Sequence, residues 1–177
     1  MTPRLQPLPA PEWDATVRAA LGSLLPPERA NPRDAGNVLA TMVRHPALTG
    51  AYLPFNAYLL NGSTLSPRIR EIALLRAVLR ADCEYLWAHH LPIARRAGLT
   101  DSEIDAIRGG TPATAADAAV ARAADELVDT RTVSAAVWQD LGCHFTDDQR
   151  MDLVFTIGGY CLLAMAVNAF GVEEENT

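Results

Sequence analysis

The sequence contains no lysine, and all 15 of its basic residues are arginine. Without an ammonium side chain the protein cannot form a Schiff base with a substrate or with pyridoxal phosphate, and it cannot build a Walker phosphate-binding loop. The net charge is −6 and no basic run occurs, so a nucleic-acid partner is not expected. These absences exclude several large classes of enzyme and binding protein.

Cysteine is scarce, and the three cysteines, Cys83, Cys143 and Cys161, lie far apart. An odd number without short spacing predicts no disulfide framework. No CxxC or HExxH pattern and no second Cys/His pair is present, so the sequence predicts no metal site. The N-terminal stretch MTPRLQPLPAPEWD has prolines where a signal peptide has its apolar core, which predicts a cytoplasmic protein.

One long segment, Leu153 to Val172, lacks charge altogether and has the length of a membrane span. It contains Gly158, Gly159 and Asn168, and a helix that is apolar all round also suits a large core or an oligomer. We therefore expect a buried helix and no membrane partner.

Apolar residues recur at spacings of three and four, and no alternating strand pattern persists, which predicts an all-α protein. Proline, glycine and capping residues punctuate the chain. They predict helices over about 12–24, 34–44, 47–60, 67–80, 83–97, 100–109, 114–130 and 134–141, with a ninth beginning after Thr146. We expect a proline-rich arm (1–11), one helical domain (12–172) and an acidic tail (173–177).

The fourth and fifth helices carry the reactive residue types. On a helical wheel Glu71 lies on a leucine-rich face of the fourth helix, opposite Arg76 and Arg80. A carboxylate there is costly to bury unless it is paired. On the fifth helix Cys83 and His90 are two turns apart on the inward stripe, whereas His89 points outward. They are about 10 Å apart along the axis, too far for a direct hydrogen bond.

With these residues named, the segment LSPRIREIALLRAVLRADCEYLWAHHLPIARRAGLTDSEIDAI, residues 65–107, resembles the carboxymuconolactone decarboxylase and alkylhydroperoxidase D-like superfamily. The resemblance includes the glutamate, the cysteine–aromatic–tryptophan run, the histidine and the turn GLTDSEI. It implies an alkylhydroperoxidase D-like bundle of about eight or nine helices that assembles as a homotrimer or homohexamer.

The alkylhydroperoxidase branch uses a CxxC redox pair with a glutamate and a histidine as proton relay. By resemblance, Glu71, Cys83 and His90 match three of these positions, and the second cysteine falls at Leu86. Without that cysteine no neighbouring thiol can resolve a sulfenic acid.

The decarboxylase branch needs no cofactor and acts on a small lactone acid through positioned acids and bases. Here the resemblance implies Glu71 and His90 as the acid–base pair. Arginines suited to hold a substrate carboxylate are Arg68 and Arg70, with Arg76 as a further candidate. The expected pocket wall is formed by Tyr85, Leu86 and Trp87.

Three hypotheses follow. The first is a cofactor-free decarboxylase, isomerase or lyase with Glu71 as general acid or base, His90 as its partner and Cys83 as a polar wall. The second is a single-cysteine hydroperoxidase in which Cys83 attacks and an external thiol resolves. The third is a non-catalytic binding or assembly module in which these residues form a buried polar cluster.

Overall fold

The computed structural model describes residues 3–175, so the outermost two residues of the predicted arm and of the predicted tail lie outside the described residues. This part of the chain contains nine α-helices, two single-turn 3₁₀ helices and no strand, which confirms the all-α prediction. The helices are α1 (Ala15–Ala20), α2 (Pro32–Met42), α3 (Pro46–Asn61), α4 (Pro67–Arg80), α5 (Glu84–Arg96), α6 (Asp101–Gly109), α7 (Ala115–Thr130), α8 (Ala135–Gly142) and α9 (Asp147–Phe170).

The chain forms two compact units, one of residues 1–62 with 166–177 and one of residues 63–165. In the first unit, α1 is shorter than the predicted 12–24. Residues Ala10–Glu12 form a 3₁₀ turn, and Asp14 adopts an extended conformation from which it caps Val17. The indole of Trp13 donates to the Leu8 carbonyl at 2.9 Å within the apolar core of this unit. The prediction of one domain over 12–172 stays a prediction.

The second unit is built around α4. Ser66 caps this helix and Pro67 opens it, as the sequence predicts. From Ile72 to Val78 almost no side chain reaches solvent, so the helix is buried on all sides rather than on one. The helical wheel places Arg76 on the side opposite Glu71; in the structure α7 lies on that side and Arg76 is buried.

Three arginines of α4 pair with three aspartates of α7, and we call these pairs the arginine ladder. The partners are always 49 residues apart, and a constant offset means that the two helices run parallel in a fixed register. The nitrogen–oxygen distances are 2.7 Å for Arg68–Asp117, 2.6 Å for Arg76–Asp125 and 2.6 Å for Arg80–Asp129. The ladder explains how a helix as apolar as α4 can carry arginines inside the bundle.

Helix α9 is the one helix among residues 3–175 that is long and apolar enough to cross a bilayer. Only 44% of its most apolar 18-residue window is buried, and length and composition alone do not separate a membrane span from a core helix. Its exposed apolar side chains within the second unit are Met151, Phe155, Leu162 and Met165. The predicted absence of a membrane partner and the predicted cytoplasmic location stay predictions.

Candidate active site

A tight turn joins α4 to α5 and sets the two helices side by side. The Cys83 N–H donates to the Val78 carbonyl at 3.0 Å and the Asp82 N–H to the Leu79 carbonyl at 3.1 Å, which is the Schellman pattern. The residue in the left-handed position is Asp82, with φ of 50°, a conformation that aspartate tolerates better than most residues. The turn therefore ends α4 and begins α5 within three residues.

This arrangement brings Glu71 of α4 to His90 of α5. Glu71 Oε2 lies 2.9 Å from His90 Nδ1, and the glutamate is 0% exposed. Burying a carboxyl group is unfavourable unless it has hydrogen-bond partners, and the imidazole supplies one of them. Glu71 and His90, predicted separately from the two helical wheels, thus form one contact.

The other carboxylate oxygen also has a partner. Arg70 Nε donates to Glu71 Oε1 at 3.3 Å, and the guanidinium is largely buried. A guanidinium is always protonated and cannot accept a hydrogen bond, so the carboxylate oxygen is the acceptor in this contact. The carboxylate in turn favours the tautomer in which His90 carries its hydrogen on Nδ1 and presents a lone pair on Nε2.

His90 is the more accessible member of the pair. Its side chain keeps 10% of its surface exposed, and Nε2 makes no hydrogen bond to any residue from 3 to 175. Both carboxylate oxygens of Glu71 therefore have partners, whereas the Nε2 atom of His90 can bond to a further molecule. Such a carboxylate–histidine pair can move protons to and from a bound molecule.

Tyr160 of α9 packs against the same imidazole. The two ring centroids are 5.2 Å apart and the ring planes meet at 87°, an edge-to-face arrangement. Sequence reasoning missed this residue, because Tyr160 lies in a helix whose composition is apolar all round and gives no face that points to a site.

Cys83 is the residue just before α5 and is 1% exposed. The first turn of a helix favours a thiolate, but the sulfur has little access to solvent. Cys83, Cys143 and Cys161 form no disulfide bond with one another. Leu86, at the position of the missing second cysteine, is buried.

The residues expected to bind substrate divide into two groups. Arg68 makes two bonds to Asp117 and a further ion pair with Glu103 at 2.6 Å, so its guanidinium is occupied by the fold. Arg76 is likewise held by the arginine ladder. Arg70 lies beside Glu71 and is the one arginine of the three that the structure places at the pair.

The predicted pocket wall is also split. Tyr85 is buried and stacks on His89 with ring centroids 3.9 Å apart. Trp87 packs under the guanidinium of Arg108 at 4.6 Å and lines a surface cleft of about 340 Å³ between α5 and α6. The ring contact of Tyr85 is thus with His89, and Trp87 faces the cleft beside Arg108; their role as a pocket wall stays a prediction.

Within residues 63–165 no three histidine, cysteine or acidic side chains lie close enough to one another to hold a metal ion. The groups that this unit does assemble are a carboxylate, a guanidinium and an imidazole. Their chemistry is proton transfer and the binding of anions.

The family model described as the carboxymuconolactone decarboxylase family matches residues 46–129, a span that includes Glu71, Cys83 and His90. This match covers just under half of the chain and supports the superfamily that the sequence resembles. None of the curated proteins matches the sequence. The match therefore supports a set of motif positions and brings no substrate with it.

Solved structures of the superfamily fold resemble the whole chain at low identity. An alkylhydroperoxidase AhpD core protein from Ralstonia eutropha JMP134, described as peroxidase-related, has a TM-score of 0.77 at 18% identity, over 97% of this chain and 93% of the other. A peroxidase-related protein from Silicibacter sp. TM1040 has a TM-score of 0.76 at 16% identity, over 99% and 95%. The debrominase Bmp8 in its apo form has a TM-score of 0.71 at 16% identity, over 97% and 91%. At this identity the likeness shows the shared fold alone.

Proposed function

We propose that this protein is a cofactor-free acid–base enzyme acting on a small oxygenated acid or lactone. The observation that carries the proposal is the 2.9 Å contact between the fully buried Glu71 and the partly accessible His90. In this assignment the Nε2 atom of His90 is the general base or acid. Glu71 orients the ring and stabilises the imidazolium, as the carboxylate does in a catalytic triad.

Proton transfer through Nε2 of His90 allows two related reactions. In an isomerisation, Nε2 removes a proton from the carbon next to a carbonyl, the electron pair moves into an enolate, and the imidazolium returns the proton to another carbon. In a decarboxylation, Nε2 takes the proton of the substrate carboxylic acid, the C–C bond electrons remain on the substrate when CO₂ leaves, and the imidazolium returns the proton to that carbon. Arg70, beside Glu71, is the arginine that we retain for binding a substrate carboxylate.

The test is a panel of β-oxo acids and carboxylated butenolides incubated with the protein in D₂O, read by NMR for CO₂ loss and for deuterium uptake. We expect turnover of at least one compound, with Glu71→Gln and His90→Gln lowering kcat by roughly 10²–10⁴-fold. Turnover that survives both substitutions would contradict the assignment. If no compound turns over and Glu71→Gln raises Tm, the non-catalytic module becomes the better hypothesis.

A second candidate function is thiol chemistry at Cys83. It is favoured by the position of Cys83 before the first turn of α5 and by the peroxidase-related description of two structural relatives. It is disfavoured by the burial of Cys83 and by Leu86, because no nearby thiol can resolve a sulfenic acid.

Intact mass, measured seconds after one equivalent of an organic hydroperoxide is added to the reduced protein, separates the two functions. The acid–base function predicts no fast oxidation. Fast oxidation that vanishes in Cys83→Ser, but persists in Cys143→Ser, would establish the peroxidase instead.

We also propose that the protein is a homo-oligomer, a trimer or a hexamer. Met151, Phe155, Leu162 and Met165 expose large apolar side chains on one helix, and such patches usually mark an interface. Light scattering during gel filtration should give the mass of three or six chains. A single-chain mass at micromolar concentration would contradict this.

A further inference from the structure

Tyr160 is nearly fully buried, at 2% exposure, and its ring stands edge-to-face with that of His90. His90 is held at one edge only by the hydrogen bond from Nδ1 to Glu71. The imidazole turns about its Cβ–Cγ bond, and this hydrogen bond selects an orientation but tolerates a range of angles. A packing contact on the ring narrows that range.

Helix α9 is held in position near this contact by a polar anchor. The Asp152 carboxylate accepts from the Thr64 N–H at 2.6 Å and from the Thr64 hydroxyl at 2.8 Å. Asp152 lies eight residues before Tyr160, about 12 Å along the helix axis. A helix that is apolar all round has little to fix its rotation, and this buried carboxylate supplies the missing constraint.

We infer that Tyr160 is a positioning residue for His90. Glu71 sets the tautomer of the imidazole and Tyr160 sets its plane, so that Nε2 points in one direction only. The aromatic ring makes the edge-to-face contact with the imidazole, and it is the part of Tyr160 to which we assign this role. The inference rests on the proposed function for its catalytic consequence, but its structural part concerns the imidazole alone.

The structural part is tested by ¹⁵N NMR on full-length protein labelled at histidine, with the His90 signals assigned from His90→Gln. At a pH where the imidazole is neutral, we expect the wild type to show one tautomer, hydrogen on Nδ1. Tyr160→Leu should let the ring turn, which weakens the hydrogen bond from Nδ1 to Glu71 and shifts both nitrogens toward the averaged values of a mixed tautomer. Tyr160→Phe keeps the ring and should retain the wild-type spectrum.

Two further variants guard against simple unfolding. Tyr160→Met keeps most of the volume with a flexible side chain, and it should change the His90 signals as Tyr160→Leu does. Leu153→Ala removes a buried side chain about 10 Å earlier on α9, and it should lower Tm without changing them. Wild-type signals in both Tyr160→Leu and Tyr160→Met would overturn the inference, and so would an equal change in Tyr160→Phe.

If the panel above yields a substrate, Tyr160→Leu should lower kcat about tenfold with little change in KM, and Tyr160→Phe should restore it. A wild-type kcat in Tyr160→Leu would overturn the catalytic part. The NMR result does not depend on any substrate, so a failed search for activity would count against the proposed function without touching the positioning of His90.

Discussion

Helix α4 carries two sets of charged contacts, which differ in whether a hydrogen-bonding position remains for a further molecule. The arginine ladder joins α4 to α7 by paired, mostly bidentate contacts, and the groups at its open end, Arg80 and Asp129, are 40% and 48% exposed. The Glu71–His90 pair joins α4 to α5, with the carboxylate fully buried and one imidazole nitrogen without a partner among residues 3–175. The first set is complete in itself, whereas the second has a hydrogen-bonding position for a further molecule.

The difference teaches how charged contacts can be assigned to folding or to chemistry. A saturated pair offers a substrate nothing, since its donors and acceptors are already used. A pair with one closed end and one accessible atom is preorganised and still reactive. On this basis Arg68, predicted to bind substrate, belongs to the ladder, and Arg70 belongs to the pair.

The largest expected effect comes from removing an aspartate at the middle of the arginine ladder. Asp125→Ala leaves the buried Arg76 guanidinium with only the Ile107 and Arg108 carbonyls, at 2.8 and 3.1 Å. Losing one partner of a buried ion pair should lower the free energy of unfolding by about 3 kcal/mol. Thermal unfolding should show a fall in Tm of roughly 6–10 °C.

Asp129→Ala is the matched control, because it removes the same kind of partner at the exposed end of the ladder. It should lower the free energy of unfolding by less than about 1 kcal/mol. Equal losses of unfolding free energy in the two variants would show that burial does not determine how much each pair of the ladder contributes to stability. A changed His90 NMR spectrum in either would show that the ladder and the pair are not separate.

A buried hydroxyl group extends the comparison from charged contacts to an uncharged polar group. Thr156 of α9 is 0% exposed, and its hydroxyl has no hydrogen-bond partner among the described residues. Thr156→Val keeps the shape and removes the unsatisfied group, so it should raise the free energy of unfolding by about 1 kcal/mol. The measurement is urea unfolding of both proteins.

The control is Thr49→Val, since Thr49 is equally buried but donates its hydroxyl proton to the Met42 carbonyl at 2.6 Å. This substitution removes one of two hydrogen bonds to the Met42 carbonyl, which keeps the one from the His45 N–H at 3.0 Å, and it should destabilise the protein by about 1 kcal/mol. The same sign in both variants would contradict the distinction between satisfied and unsatisfied hydroxyls.

The smallest expected effect concerns Glu103, which forms an ion pair with Arg68 of the ladder. A hydrogen bond from the Thr100 N–H, followed by the Arg68 guanidinium, lowers the pKa of Glu103 from 4.5 to about 2. A lowered folded pKa adds stability above about pH 4.5 that is lost as pH falls toward 2. Glu103→Gln should therefore flatten the decline of Tm across that window.

Asp105→Asn, on the same helix, is the control, because Asp105 makes no hydrogen bond to the described residues. It should leave the slope of Tm against pH as it is in the wild type. An unchanged slope in Glu103→Gln would mean that its carboxylate contributes nothing to acid stability. The effect is small in any case, because Glu103 is near the surface and solvent screens its charge.

Much of the fold follows from local rules that the sequence displays. The structure reproduces several helix ends that local signals predict. These signals are Ser66–Pro67 at the start of α4, Gly98 after α5, and the capping box of Thr100 and Glu103 at the start of α6. Glu71 and His90 could be selected from helical wheels because both are polar residues on apolar faces. Their mutual contact could not, since wheels carry no information on how two helices cross.

Tertiary contacts explain what the sequence did not reveal. The wheel of α4 separates Arg76 from Glu71 but does not show that α7 lies against Arg76. A signal for this was present, since arginines at 68, 76 and 80 repeat the spacing of aspartates at 117, 125 and 129. Nothing comparable marks the contact of Tyr160 with His90, because no repeated spacing links the two helices that carry these rings.

That repeated spacing is uneven, with steps of eight and four residues, and it has a consequence for how α7 can seat on α4. A slide of four residues, close to one turn, would keep the same faces together. Yet after such a slide only one arginine would meet an aspartate, Arg76 in one direction and Arg80 in the other. Two smooth helices rich in alanine and leucine are thereby given a single alignment, as polar residues do in other helical assemblies.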